Sequence, residues 1–132
     1  MIKLVPVENT EDLKALCVQY GIEYSPYVHA YVRADTGPKA QCVFSIEGYR
    51  VELLAVEMQE DDPLIPELLI RAVGAYAANR SGYLFVVKKE VGQPINATLK
   101  MMGFEENESE YSGKVPMILK GHCCHDTKNN EK

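Results

Sequence analysis

Arg50-Val51-Glu52-Leu53-Leu54-Ala55-Val56-Glu57-Met58, then an acidic linker, then Leu64-Ile65-Pro66-Glu67-Leu68-Leu69-Ile70-Arg71-Ala72-Val73-Gly74-Ala75-Tyr76-Ala77, is the stretch that decides the fold. The first nine residues read as a buried strand. Leu64, Ile65, Leu68, Leu69, Ala72, Val73, Tyr76 and Ala77 then recur at the spacing of a long amphipathic helix. Ser81-Gly82 stops that helix, and Tyr83 to Lys88 is dense in β-formers. A strand, a crossover helix and a strand predict two parallel neighbours or near-neighbours. The linker reads Gln59-Glu60-Asp61-Asp62-Pro63-Leu64-Ile65-Pro66, without Gly, Lys or Arg. Such a junction commonly cradles a phosphate on the first backbone N–H groups of the helix; this one is poorly equipped for it.

On the N-terminal side, Ile2 to Val7 reads as a strand. Asn9-Thr10-Glu11-Asp12 is a helix-start signal, with a capping oxygen and acids in the first turn. Leu13, Leu16, Cys17 and Tyr20 give one apolar face, and Gly21 is a suitable stop. After the short connection Ile22 to Pro26, Tyr27 to Ala34, Ala40 to Ile46 and Tyr49 to Met58 form an antiparallel meander turning at Asp35-Thr36-Gly37-Pro38 and Glu47-Gly48. On the C-terminal side, Pro94 to Met102 predicts a shorter helix stopped by Gly103. Two last strands, Phe104 to Tyr111 and Val115 to Lys120, flank a turn at Ser112-Gly113-Lys114. The order β-α-β-β-β-α-β-α-β-β predicts an α+β domain over residues 1–120: a mixed sheet of six or seven strands with helices on both faces. Residues 121–132 are expected to be a polar, mobile tail.

The 132 residues carry 14 Lys and Arg against 19 Asp and Glu, a net charge of −5. Eight of those acids fall in Glu57 to Asp62 and Glu105 to Glu110, segments without a basic residue. That argues against nucleic acid or an anionic membrane as partner. Met1 to Val7 has no apolar run of signal-peptide or membrane-span length, so the expected location is cytoplasmic. Cys17 and Cys42 sit in apolar patterns as small buried hydrophobes, and no structural disulfide is expected. His122-Cys123-Cys124-His125 packs four soft-metal ligands into one tetrapeptide. Adjacent ligands do not easily close a tetrahedral site, so no resident metal is assigned.

The element order, Leu53-Leu54-Ala55-Val56 and the ending Leu99-Lys100-Met101-Met102-Gly103-Phe104 together resemble the GNAT superfamily of acyl-CoA-dependent N-acetyltransferases. The resemblance covers residues 1–120, less the family's second helix, for which only Ile22 to Pro26 is available. It implies a cleft for acetyl-CoA or another acyl-CoA at Leu54, Ala55, Val56, Leu64 and Asn96. The family's loop spacing Arg-x-x-Gly-x-Gly falls here on Asp61, Leu64 and Pro66, and all three depart from it. A cation becomes an anion, a close-approach position gains a bulky side chain, and Pro63 and Pro66 each remove an N–H. Asp62 can cap the helix instead. The position of the family's thiolate-protonating Tyr is Leu99, with Thr98 and Tyr111 the nearest hydroxyls.

Glu52 stands where some members keep the general base that deprotonates an amine. The alternative is a strand Glu paired with Arg50. Tyr20, Tyr24, Tyr27 and Tyr31 cluster where acceptors enter the resembled fold, and packing accounts for them equally well. Two functions follow. One is a GNAT-like domain with lost or weakened acetyl-CoA binding that acts by binding a ligand or partner, with no cofactor assigned. The other is a divergent but active N-acyltransferase using Glu52 on a small-molecule or protein amine. Val115 to Leu119 adds an expected homodimer packed through Met117 and Leu119.

Overall fold

The computed structural model describes residues 2–59 and 61–120. The expectations for the tail and its His122-Cys123-Cys124-His125 run lie outside the described residues, as does Glu60. The strands are β1 (Leu4–Pro6), β2 (Val28–Arg33), β3 (Ala40–Glu47), β4 (Arg50–Met58), β5 (Leu84–Lys88), β6 (Glu105–Glu106) and β7 (Glu110–Lys114). They make one seven-stranded sheet in the order β1-β2-β3-β4-β5-β7-β6. Neighbours pair antiparallel except β4 and β5, which are parallel, as the crossover requires.

Helix α1 (Thr10–Tyr20) covers one face. Asn9 Oδ1 accepts from the N–H groups of Glu11 and Asp12 at 2.9 and 3.1 Å, and Gly21 closes the helix at φ 68°. Its Leu13 and Cys17 pack on Val28, Ala30 and Val43. The larger core lies on the other face, under α2 (Leu64–Ala78). There Ile65, Leu69, Ile70, Val73 and Ala77 meet Phe44, Val51, Leu53 and Phe85, each 0 or 1% exposed. Gly82 lets the chain re-enter the sheet, since a Cβ there would sit 2.8 Å from both Ala77 Cβ and Val51 Cγ2. No helix among the described residues is long and apolar enough to cross a membrane.

The last third departs from the expected boundaries. The segment read as one helix, Pro94 to Met102, is a 3-10 turn (Gln93–Ile95) followed by α4 (Asn96–Met101), and a short helix that the sequence did not suggest, α3 (Lys89–Gly92), precedes it. The hairpin turns earlier than expected because Asn107 Oδ1 gathers the N–H groups of Ser109 and Glu110 at 2.8 and 2.9 Å. Ser112-Gly113-Lys114, read as the turn, is strand, paired with Val86, Phe85 and Leu84. The expected final strand Val115 to Lys120 is a helix, α5 (Val115–Lys120). Val115 and Ile118 share a helical face and enter the core, Pro116 is harmless in a first turn, and Arg71 Nη1 donates to the Leu119 carbonyl at 3.0 Å. The two-strand reading failed because a six-residue apolar run has no period of its own.

Asp35 ties the short edge strand to the meander. Its carboxylate accepts from Lys3 N–H at 2.6 Å, Gly37 N–H at 2.8 Å and Arg33 Nε at 2.8 Å. These bonds, the Lys3 N–H first, hold its pKa down at about 2 from 3.8. A depressed acid stabilises the fold above its unfolded value and loses that contribution as pH falls through the folded one. Asp35→Asn should therefore flatten the loss of melting temperature between about pH 4 and pH 2. An acid limb identical to the wild type would show that Asp35 does not carry it.

Candidate functional site

The β4–β5 ladder stops at Leu53 opposite Val87. β4 runs on for Leu54 to Met58, whereas β5 ends at Lys88 and the chain turns into α3. From Leu54 to Met58, the edge of β4 turned toward β5 has no strand partner among the described residues. Residues 54–58 are all half-buried, while Val51 and Leu53 in the paired part are fully covered.

A β-bulge marks the same point. Val43 pairs with Ala55 and Phe44 with Leu53, so Leu54 is the extra residue. Leu54 and Ala55 consequently both join the α1 core, and Val56 and Met58 return to the α2 core. Beyond Met58 a cleft of about 250 Å³ opens between the α2 N-terminus and α4, with Asp61, Asp62, Pro66, Ile95 and Thr98 in its wall. A groove of about 370 Å³ adjoins it along Leu64, Glu67, Ala97 and Met101, sharing Asp62 and Thr98 with the cleft.

The donors at the start of α2 are already used. Asp62 Oδ1 accepts from Leu64 N–H at 2.9 Å, and the Asp62 carbonyl accepts from Ile65 N–H at 3.0 Å. Pro63 and Pro66 have no N–H. Positions 63–66 thus offer no free backbone donor, and Asp61 and Asp62 add negative charge where an anion would sit.

The remaining candidates are scattered in role. Glu52 is half-buried between two cations, with Arg50 Nη2 at 3.7 Å and Lys88 Nζ at 4.0 Å, which matches the ion-paired alternative. Leu64 is 49% exposed on the groove. Asn96 turns its Oδ1 to Tyr111 Oη at 3.1 Å, and Gln93 Oε1 lies 3.0 Å from the same hydroxyl. Leu99 is fully buried in the core. Thr98 is 9% exposed in the wall of both cavities, and its hydroxyl has no hydrogen-bond partner among the described residues.

One polar constellation escaped the sequence reading. Tyr20, taken as part of the helix's apolar face, donates to Glu57 Oε1 and accepts from Gln41 Nε2 at 2.6 Å. Burial first, then the bond to Glu57, pushes the Tyr20 phenol up to about 12, so it stays protonated at neutral pH. Gln41 and Glu57 are paired across β3 and β4, but Tyr20 lies 37 residues from Glu57 and no local pattern joins them. The four tyrosines divide between packing and surface: Tyr24 and Tyr27 are exposed, while Tyr31 packs on Phe44 and Tyr76 across the sheet from α1. No group of three or more metal-ligating side chains gathers among the described residues.

No protein-family model matches the chain, and no curated protein matches it significantly. Solved structures do. The ribosomal-protein-S18-alanine N-acetyltransferase of Escherichia coli superposes with a TM-score of 0.65 at 11% identity, over 87% of this chain and 94% of that one. A GNAT-family acetyltransferase of Staphylococcus aureus gives 0.60 at 10% identity, over 87% and 99%. YhhK of Escherichia coli, solved bound to coenzyme A, gives 0.63 at 10% identity, over 86% and 98%. At these identities the likeness is one of fold.

Proposed function

We propose, from the GNAT acyltransferase fold that the chain has, that it acts by binding a ligand or partner in the β4–α4 cleft rather than by transferring an acyl group from acyl-CoA. The observation that carries this reading is the junction before α2: its two N–H groups are bonded to Asp62, and its two prolines have none. A diphosphate entering there would have to displace a carboxylate cap and lie against Asp61. In this reading Leu54, Ala55 and Val56 line the open edge of the cleft, Leu64 lines its outer groove, and Asn96 holds α4 to the sheet. Millimolar acetyl-CoA at moderate salt should leave the melting temperature unchanged. A ligand at a hundred times its Kd stabilises by about 2.7 kcal/mol, which such a scan detects. A clear shift that Ala55→Trp abolishes would overturn the reading.

The second reading, a divergent N-acyltransferase, is favoured by the open edge of β4. Glu52 would then deprotonate a small-molecule or protein amine, with Thr98 or water at the leaving thiolate. The same titration decides between the two.

Self-association belongs to the same proposal. Met117 is 65% exposed on α5, whereas Leu119 lies against Gly74, so a homodimer would pack through Met117 and not Leu119. Light scattering at micromolar concentration should give a dimer that Met117→Asp dissociates; a wild-type monomer removes the dimer.

A further inference from the structure

We infer that the cleft takes an extended peptide segment of alternating apolar and basic residues, added as a strand to the free edge of β4; the inference rests on the binding reading above and names its ligand class. Four features point the same way. First, the β5-facing edge from Leu54 to Met58 is a row of backbone groups without a strand partner, five residues or about 17 Å of chain at strand spacing. An added strand would bond to such an edge through its main chain.

Second, that edge leads by way of Met58 into the cleft, and the cleft continues into the groove between α2 and α4. Leu64 and Met101, 49 and 47% exposed, flank the groove and would receive every second side chain of the segment. Third, the acids of these walls are Asp61, Asp62 and Glu67, and no Lys or Arg is among the lining residues. The complementary ligand is cationic. Arg71, paired with Glu67 at 3.0 Å, reduces the contribution of that one acid. Fourth, the Thr98 hydroxyl is 9% exposed in the wall and without a partner among the described residues. A buried hydroxyl left unbonded is costly, and a ligand amide or carbonyl entering the cleft would satisfy it.

The test uses a fluorescein-labelled, end-blocked octapeptide of alternating Val and Lys on the full chain, read by anisotropy, with amide hydrogen exchange to locate it. Binding with new protection at residues 54–58 is expected. The same octapeptide N-methylated at every residue keeps its charge but cannot pair, and should bind at least about tenfold more weakly. The alternating Val and Glu peptide should not bind. Asp61→Lys, on an exposed residue, should weaken the Val-Lys peptide by roughly fivefold at low salt, the size of one exposed attraction turned into repulsion, with an unchanged melting temperature. Absence of binding, equal binding of the methylated peptide, or protection elsewhere overturns the inference. A melting shift with acetyl-CoA instead overturns the binding reading itself. Failure of both ligands overturns only the peptide.

Discussion

Tyr111→Ala is expected to destabilise the fold by about 3–5 kcal/mol, the range for removing a large buried aromatic ring. Tyr111 is fully buried on β7 and is the largest side chain so placed. Its ring lies so close to Gly92 that a Cβ there would stand 2.6 Å from Tyr111 Cε1. Its hydroxyl reaches Gln93 and Asn96, and the Lys89 ammonium sits 5.2 Å over the ring. One side chain therefore fastens α3, the 3-10 turn and the start of α4 to the sheet, and with them one wall of the cleft. A phenol has a single proton, so it donates to only one of these two amide oxygens at a time. Tyr111→Phe keeps the ring and should cost only about 1 kcal/mol, since Gln93 is exposed and Asn96 half-buried. Urea unfolding of the pair measures both. A loss under about 1 kcal/mol for the alanine variant would show that the segment is held elsewhere.

The second large effect is a gain. On the proposed binding reading, Asp61→Arg, Leu64→Gly and Pro66→Gly together should give a chain that binds acetyl-CoA where the wild type does not. Arginine replaces an anion with a diphosphate partner. Glycine at position 64 clears a bulky side chain from the approach, and glycine at position 66 restores an N–H. Glycine at position 64 also weakens the first turn of α2, by about 1 kcal/mol where the helix is regular. The readout is therefore the difference in melting temperature with and without acetyl-CoA, taken separately for each protein. At a hundred times its Kd the ligand adds about 2.7 kcal/mol, several degrees for a domain of this size. If the triple variant shows no ligand-dependent shift while remaining folded, the defect lies deeper than this junction.

Fold and site were unequally legible in the residues. The meander, the long helix and its parallel crossover were readable because Leu13 to Tyr20 and Leu64 to Ala77 each keep one period over several turns, and Asn9 and Gly21 cap where caps are needed. Lengths and turns near the C-terminus were not. Val115 to Lys120 is too short for its period to show, and Asn107 outcompeted Gly113 for the turn through bonds made only once the hairpin exists. The junction at Asp61 to Pro66 could be read because the argument there is local: a missing N–H, a charge, a bulky side chain. The Tyr20–Gln41–Glu57 network and the environment of Thr98 depend on which strands are neighbours, which composition does not state. Glu52 was readable as a carboxylate on β4, but its two cationic neighbours include Lys88, placed there by the parallel pairing.

The extra residue at Leu54 also couples the length of β4 to the bulge itself. Before it, Val51 and Leu53 face the larger core; after it, Val56 and Met58 do so only because one position is spent on the bulge. Because side chains alternate with a period of two, straightening the bulge at unchanged length would turn everything beyond it over, whereas losing Leu54 along with it would leave Val56, Glu57 and Met58 on the faces they have. In the straightened strand Glu57 would be carried under α2 with no partner for its charge, and Val56 and Met58 would be left against α1. Descendants of this chain can therefore exchange the side chains along the cleft one by one, but they can shed the bulge only together with one residue of β4.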